Sequence, residues 1–380
     1  MTSGEAEPAR RAIPGSRIRL ALLVSTLALP ADLLVAYARA RIIGSFPGEY
    51  GMFGPAGAAI LHGQLASVYA DPANQAGPLE LLPYGVAHVL GVGGTAGWTV
   101  FYVVVCFLAC LALTSVILLP VASPRGRWVL YPALGVTLLA VLGSFLPRAV
   151  FLGHPADFVI PLLWIAAALF ALDRRFVSCA VLIALATGFE VWGILGVPVV
   201  LLAPSPRLVR AGLAGLVVLA ALYLPFVLTG SFRMFGFHWT VDPATLYGLF
   251  WPGLSAFPWS LRVAQSVFAL AAGVAAALLL RRNRFGPWAV PFSIVAARLI
   301  VDPLLLWYYW FAPASIALAA LAVAIHWRAW TIAIGALGVI ILLWFAESIQ
   351  PVAAIILAIA ALGLVFARNR LPTPAFVESR

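Results

Sequence analysis

The sequence predicts an all-α integral membrane protein of about twelve transmembrane helices, some short or broken, with a long first outer loop carrying juxtamembrane helices. Three observations point there. Of 380 residues, 64% are hydrophobic and 9% charged, far from the balance of a soluble domain. The apolar residues gather in runs long enough, at about 1.5 Å per helical residue, to cross a hydrocarbon core of roughly 30 Å. The arginines between these runs sort to alternate loops, as orientation in a membrane requires.

In chain order, a basic cytoplasmic arm at 1–17 precedes a single polytopic domain at 18–370, and a cytoplasmic tail at 371–380 follows. Apolar runs occupy 18–38, 97–120, 128–147, 156–172, 208–228, 258–280, 303–323, 329–345 and 350–367, with a shorter one at 286–300. The run 177–203 reads either as one span or as two short helices meeting at Gly188-Phe189-Glu190-Val191-Trp192-Gly193. Charge separates these readings. With a short pair, 17 of the 23 arginines face the cytoplasm, from Arg10, Arg11, Arg17 and Arg19 in the arm to Arg368, Arg370 and Arg380 at the end. One uninterrupted span would send Arg281, Arg282 and Arg284 outside, so the pair is preferred and both termini are cytoplasmic. Small residues at 36–40 follow the first run as they would before a leader cleavage site. The length of the run and the helices after it favour a retained first span.

Two outer segments are long. The first, 39–96, contains an amphipathic stretch from Phe53 to Leu61 and, after Gly77-Pro78, an apolar stretch at 79–92 that is too short to span. Such stretches lie in the interface or re-enter. The second, 229–257, is aromatic, with Phe232, Phe235, Phe237, Trp239, Tyr247, Phe250 and Trp251. It reads first as an interfacial belt and second as a wall against a lipid-linked substrate.

Composition removes several function classes. There is no lysine, and the net charge of +10 belongs to orientation and to anionic lipid at the inner surface. No basic face with interleaved aromatics points to nucleic acid. Cys106, Cys110 and Cys179 sit in apolar runs without metal or disulfide spacing and read as small buried hydrophobes. No phosphate-binding loop, dinucleotide fingerprint or His-rich metal signature occurs, so the sequence names no cofactor and leaves a need for divalent metal open.

On this topology nine of the 13 acids and four of the five histidines face or approach the outer side. Orientation accounts for loop acids such as Glu347, but acids in apolar context tend to mark function. Local readings compete. Asp157, just after Pro155, suits the dipole of a helix start. Asp242-Pro243 and Asp302-Pro303 look like N-caps before first-turn prolines, and Asp71-Pro72 looks like a turn. Asp302 also has Arg298 four residues earlier as a partner. Six arginines, Arg39, Arg41, Arg148, Arg233, Arg262 and Arg298, lie outside against the orientation rule and suggest an anion there.

Several of these residues form a familiar series. Gly153-His154-Pro155-Ala156-Asp157 is followed by Asp173-Arg174-Arg175, then by a small-residue run into Gly188-Phe189-Glu190-Val191-Trp192-Gly193 and Val197-Pro198-Val199. Glu49, Phe53, Gly57, Gly63 and Tyr69 precede it in the first loop. Over roughly residues 30–205 the chain resembles the GT-C glycosyltransferases, and among them bacterial polyprenol-phosphate-mannose-dependent α-mannosyltransferases. Two positions depart from that pattern: Glu190 stands where the family has a lysine expected to hold donor phosphate, and Glu49 stands where it usually has aspartate.

The resemblance implies transfer of a hexose, mannose first, from a polyprenyl phosphate to a lipid- or envelope-linked glycan on the outer face of the plasma membrane. Such transfer needs a base for the acceptor hydroxyl and cations or backbone donors for the departing phosphate. Glu49 is the first candidate base and Asp157 the second. Arg148, His154, Glu190, Trp192, Arg298 and Asp302 are the candidate substrate-binding residues. A multi-span transporter, a flippase for lipid-linked sugar and a catalytically altered homologue remain as alternatives, because transporters also combine broken helices with intramembrane acids.

Overall fold

The computed structural model describes residues 15–43, 49–121, 127–304, 306–346 and 349–366. Most of the cytoplasmic arm, Glu347 and the tail at 371–380 lie outside the described residues.

Helix α1 (Gly15–Ile43) precedes three helices of the first long loop, α2 (Tyr50–Leu61), α3 (Leu65–Val68) and α4 (Pro78–Val89). Next come α5 (Gly94–Leu118), α6 (Arg127–Leu142), α7 (Phe145–Leu152), α8 (Pro155–Leu172), α9 (Phe176–Phe189) and a 3-10 stretch, Val191–Leu202. Beyond α10 (Leu208–Val227), the second long loop folds as an antiparallel ribbon of β1 (Trp239–Thr240) and β2 (Ala256–Phe257) around α11 (Leu246–Phe250). Trp239 stands opposite Phe257 in this ribbon. Then follow α12 (Trp259–Leu280), α13 (Gly286–Ile300), α14 (Phe311–His326), α15 (Trp330–Trp344) and α16 (Gln350–Phe366). Six helices are long and apolar enough to cross a membrane, or seven if the bent pair α6–α7 is one span. The chain is therefore an α-helical membrane protein, and α9, the 3-10 stretch, α13, α15 and α16 are shorter apolar pieces.

Burial separates a centre from a rim. In the span ending with α14, 89% of the apolar window is buried, against 6% in α10. Helix α10 turns Leu213, Leu216, Val217 and Leu224 outward, and a helix apolar on all sides with one face bare is suited to lipid. Helices α8 and α14 pack against each other at the centre, and α13 packs on both.

Two expected boundaries move. The run 128–147 is not one helix: it breaks after α6, where Ser144 adopts a left-handed φ of 62°, and α7 leaves at 46°. The run expected to begin at 303 becomes α-helical only at Phe311. Leu304 donates its N–H to Asp302 Oδ1 at 3.2 Å, so an aspartate turn and a 3-10 segment, Trp307–Trp310, occupy the start. Asp302 is therefore not an N-cap. Nor is Asp242, because Thr245 caps α11 by accepting from the Gly248 N–H at 3.2 Å.

The 177–203 segment does break at Glu190, whose backbone is extended (φ −148°, ψ 148°) between α9 and the 3-10 stretch. The two pieces pack on each other. Gly193 permits this, because a Cβ there would collide with the backbone of Ala186 and Thr187. Trp164 of α8 fixes the second piece by donating its indole N–H to Gly193 O at 2.8 Å. Tyr223 of α10 donates its hydroxyl to Thr187 O at 2.6 Å and holds the end of α9.

Candidate functional site

The site begins with the attachment of the first loop to the helix break. Gly77 donates its N–H to Phe189 O at 2.6 Å, and Ala76 forms an isolated antiparallel bridge with Glu190. Any Cβ at Gly77 would run into the Gly188 carbonyl, so this crossing requires glycine. Pro78 then starts α4, which places Glu80 in its first turn and sets the acid against the break. Helix α4 is held from the other side by α2, where Gly57 and Gly85 let the two backbones touch.

A second junction brings in Glu49 and His154. Gly153 ends α7 with φ +90°, and a Cβ on it would lie 3.0 Å from the Glu49 backbone nitrogen. His154 follows at the cap position of α8, its ring stacked on Tyr308 at 3.7 Å with 10° between the planes. His154 Nε2 is 3.9 Å from Glu49 Oε1, and the Glu49 side chain is 42% exposed. His154 beside it holds the Glu49 carboxyl below the usual range, against the opposing effect of partial burial.

The acids divide into two groups. Asp302 is fully partnered: Gln265 Nε2 donates to Oδ2 at 2.9 Å, Arg262 Nη1 lies 3.3 Å from the same oxygen, and Arg298 Nε lies at 3.7 Å. Aromatic faces cover both cations. Trp192 and Tyr309 lie 4.4 and 4.8 Å from the Arg298 guanidinium, and Trp239 lies 4.1 Å from that of Arg262. Glu80 and Asp157, each 1% exposed, differ from Asp302. None of their four carboxylate oxygens has a hydrogen-bond partner, and neither ring nitrogen of His154 has one. Burial holds the Glu80 carboxyl well above its usual range, and Glu190 and Asp157 nearby push it the same way. Glu190 accepts one bond on Oε2, from the Trp192 indole at 2.8 Å. Ligand atoms of Glu80, His154 and Glu190 all lie within 4.8 Å of one another.

The structure thus gathers most of the residues expected from sequence. Glu49, His154, Asp157, Glu190, Trp192, Arg298 and Asp302 line one connected polar region. Arg148 falls elsewhere, on α7 close enough to Arg39 of α1 for their charges to repel. Asp157 begins α8 as expected, yet its carboxylate makes no capping bond. The aromatic second loop does more than line an interface, since Trp239 shields Arg262 while Phe250 and Trp251 remain exposed.

Sequence reading passed over Glu80, Tyr308 and Gln265 as site residues. Glu80 carried a usable signal, an acid inside an apolar stretch just after Gly77-Pro78. Nothing distinguished Gln265, which reaches Asp302 only because α12 and α13 pack side by side. No protein-family model, no curated protein and no solved structure matches this chain, so the chemistry of the site rests on its own residues.

Proposed function

We propose that the chain is a membrane glycosyltransferase that moves a hexose, mannose in the first instance, from a polyprenyl phosphate to a lipid- or envelope-linked glycan at the outer face of the plasma membrane. One observation carries this reading. Glu49 is a half-exposed carboxylate, held in its charged form by His154, at the edge of a buried polar region. A base so placed receives an acceptor hydroxyl from the water side while the donor lipid stays in the membrane.

The positive groups fit a departing phosphate. Arg262 and Arg298 both converge on Asp302 and set two guanidinium groups in this region. Glu190, standing where the resembled family has lysine, lies beside Glu80 and His154 and within electrostatic reach of Arg298 and Arg262.

The test is incubation of the purified protein in nanodiscs with radiolabelled polyprenyl-phosphate mannose and an envelope lipid extract. Wild type should transfer label to the acceptor lipid, and Glu49→Gln should fold, retain its lipid and lose roughly 100- to 10,000-fold in rate. Loss in Asp157→Asn with Glu49→Gln active moves the base to Asp157. A second reading, an ion-coupled carrier or lipid-linked-sugar flippase, draws on the unpartnered acids beside a helix break, a pattern that transporters use. Movement of labelled lipid across proteoliposomes without transfer would establish that reading and defeat the first.

A further inference from the structure

We propose that Glu80, His154 and Glu190 form a binding site for one divalent cation of the Mn2+ or Zn2+ class. Three separate segments meet here: the first turn of α4, the cap of α8 and the break after α9. Their ligand atoms already lie within 4.8 Å of one another. Ligands at about 2.0–2.2 Å from a metal sit somewhat closer together than this, so small side-chain rotations complete the shell. Two carboxylates with one imidazole favour borderline cations over Mg2+, which prefers oxygen and retains its waters.

The second line of evidence is the lack of hydrogen bonds. Both oxygens of Glu80, both nitrogens of His154 and both oxygens of Asp157 are buried without one, and the nearest charged group to His154 is Glu49 at 3.9 Å. Buried polar atoms are rarely left so, and Glu80 and His154 are two of the three residues whose ligand atoms gather here. Charge leads to the same place. Among the described residues of this region, five acids, Glu49, Glu80, Asp157, Glu190 and Asp302, stand with two guanidinium groups, Arg262 and Arg298. Carboxyl groups outnumber the cations, and a divalent cation would let the buried ones ionise.

The surroundings are also those of a metal site. The Trp192 indole orients Glu190 through Oε2, and Tyr308 stacks on the His154 ring. Glu49 lies 3.9 Å from His154 Nε2, close to the carboxylate–histidine–metal relay that fixes a ligand ring. Three protein ligands leave coordination positions open, and Asp157 or an incoming oxygen ligand can fill them.

The experiment is independent of sugar transfer. Full-length protein is purified in detergent, stripped with EDTA and titrated with Mn2+. Expected are one equivalent of bound Mn2+ by mass spectrometry of metals and a pulsed-EPR modulation from a single imidazole 14N. This readout needs no variant, so misfolding cannot mask it. Glu80→Gln and Glu190→Gln should each weaken Mn2+ by on the order of 100-fold, with elution on size exclusion unchanged. Asp71→Asn, at an exposed turn, should bind as wild type does. Substoichiometric metal, no 14N coupling, coupling that survives His154→Ala, or unaltered affinity in both glutamine variants would overturn the site.

Discussion

Two clusters of buried acid lie side by side in this protein and are built on opposite terms. At Asp302 every oxygen is met: Gln265, Arg262, Arg298 and the Leu304 N–H converge on one carboxylate. At Glu80 and Asp157 no oxygen is met. A buried charge is costly unless paired and hydrogen-bonded, so the first cluster carries its own compensation and the second lacks it. The difference teaches where to look for a ligand. Asp302 knits α12, α13 and the turn before α14 into one wall. Glu80 and Asp157 hold space for something with positive charge, whether the cation proposed above or a proton.

The comparison is broken most sharply by removing Asp302. Asp302→Ala removes the carboxylate that Arg262 and Arg298 both approach, and losing one partner of a buried ion pair typically costs about 3–5 kcal/mol. In detergent, the melting temperature should fall more for this variant than for any other single change at the site. A small shift would mean that water reaches both arginines and that the network adds little.

The other pole should respond with the opposite sign. Glu80→Gln keeps the shape and removes an uncompensated buried acid, whose desolvation costs roughly 1–3 kcal/mol. Melted at neutral pH with chelator present, the variant should be as stable as wild type or more stable by about 1 kcal/mol. With saturating Mn2+ the order should reverse, because only wild type gains from binding. Destabilisation of Glu80→Gln in chelator would show that Glu80 has a structural partner and that the two poles are alike.

How much of this was legible in the sequence depends on the range of the interaction. Asp71-Pro72, Asp242-Pro243 and Asp302-Pro303 look alike, and each folds alike: the aspartate Oδ1 accepts an N–H two residues on, from Ala73, Ala244 and Leu304. Only the first reads as a turn in the sequence, the other two reading as N-caps, although the cause of all three lies within three residues. That Asp302 alone carries two arginines depends on how α12 crosses α13, which no local pattern states. The helix break at Glu190 was readable from where the arginines after it must lie, and the loop helices α2 and α4 from glycine, proline and apolar run length. The bend at Ser144 was not: Gly143 and Pro147 flank it inside a continuous apolar run, and the left-handed φ falls on the serine between them. Glu80 escaped as a site residue because its neighbourhood is made by Gly77 meeting Gly188, two glycines distant in the chain.

The smallest expected effect isolates what burial adds to that shared turn. Asp242→Ala removes one hydrogen bond, from the Ala244 N–H at 2.8 Å, on an exposed stretch of the second loop. The backbone contacts of the residue survive the change: its N–H still donates to Pro303 O at 2.9 Å, and its carbonyl still accepts from Thr245 Oγ1 at 2.7 Å. Water replaces the lost acceptor, so the expected cost is about 0.5 kcal/mol, against the several kilocalories for Asp302→Ala. Both variants lose the same local turn, and the difference between their melting temperatures therefore measures the buried network alone. Equal shifts would assign the stability of Asp302 to its turn and would leave the guanidinium groups of Arg262 and Arg298 as bystanders.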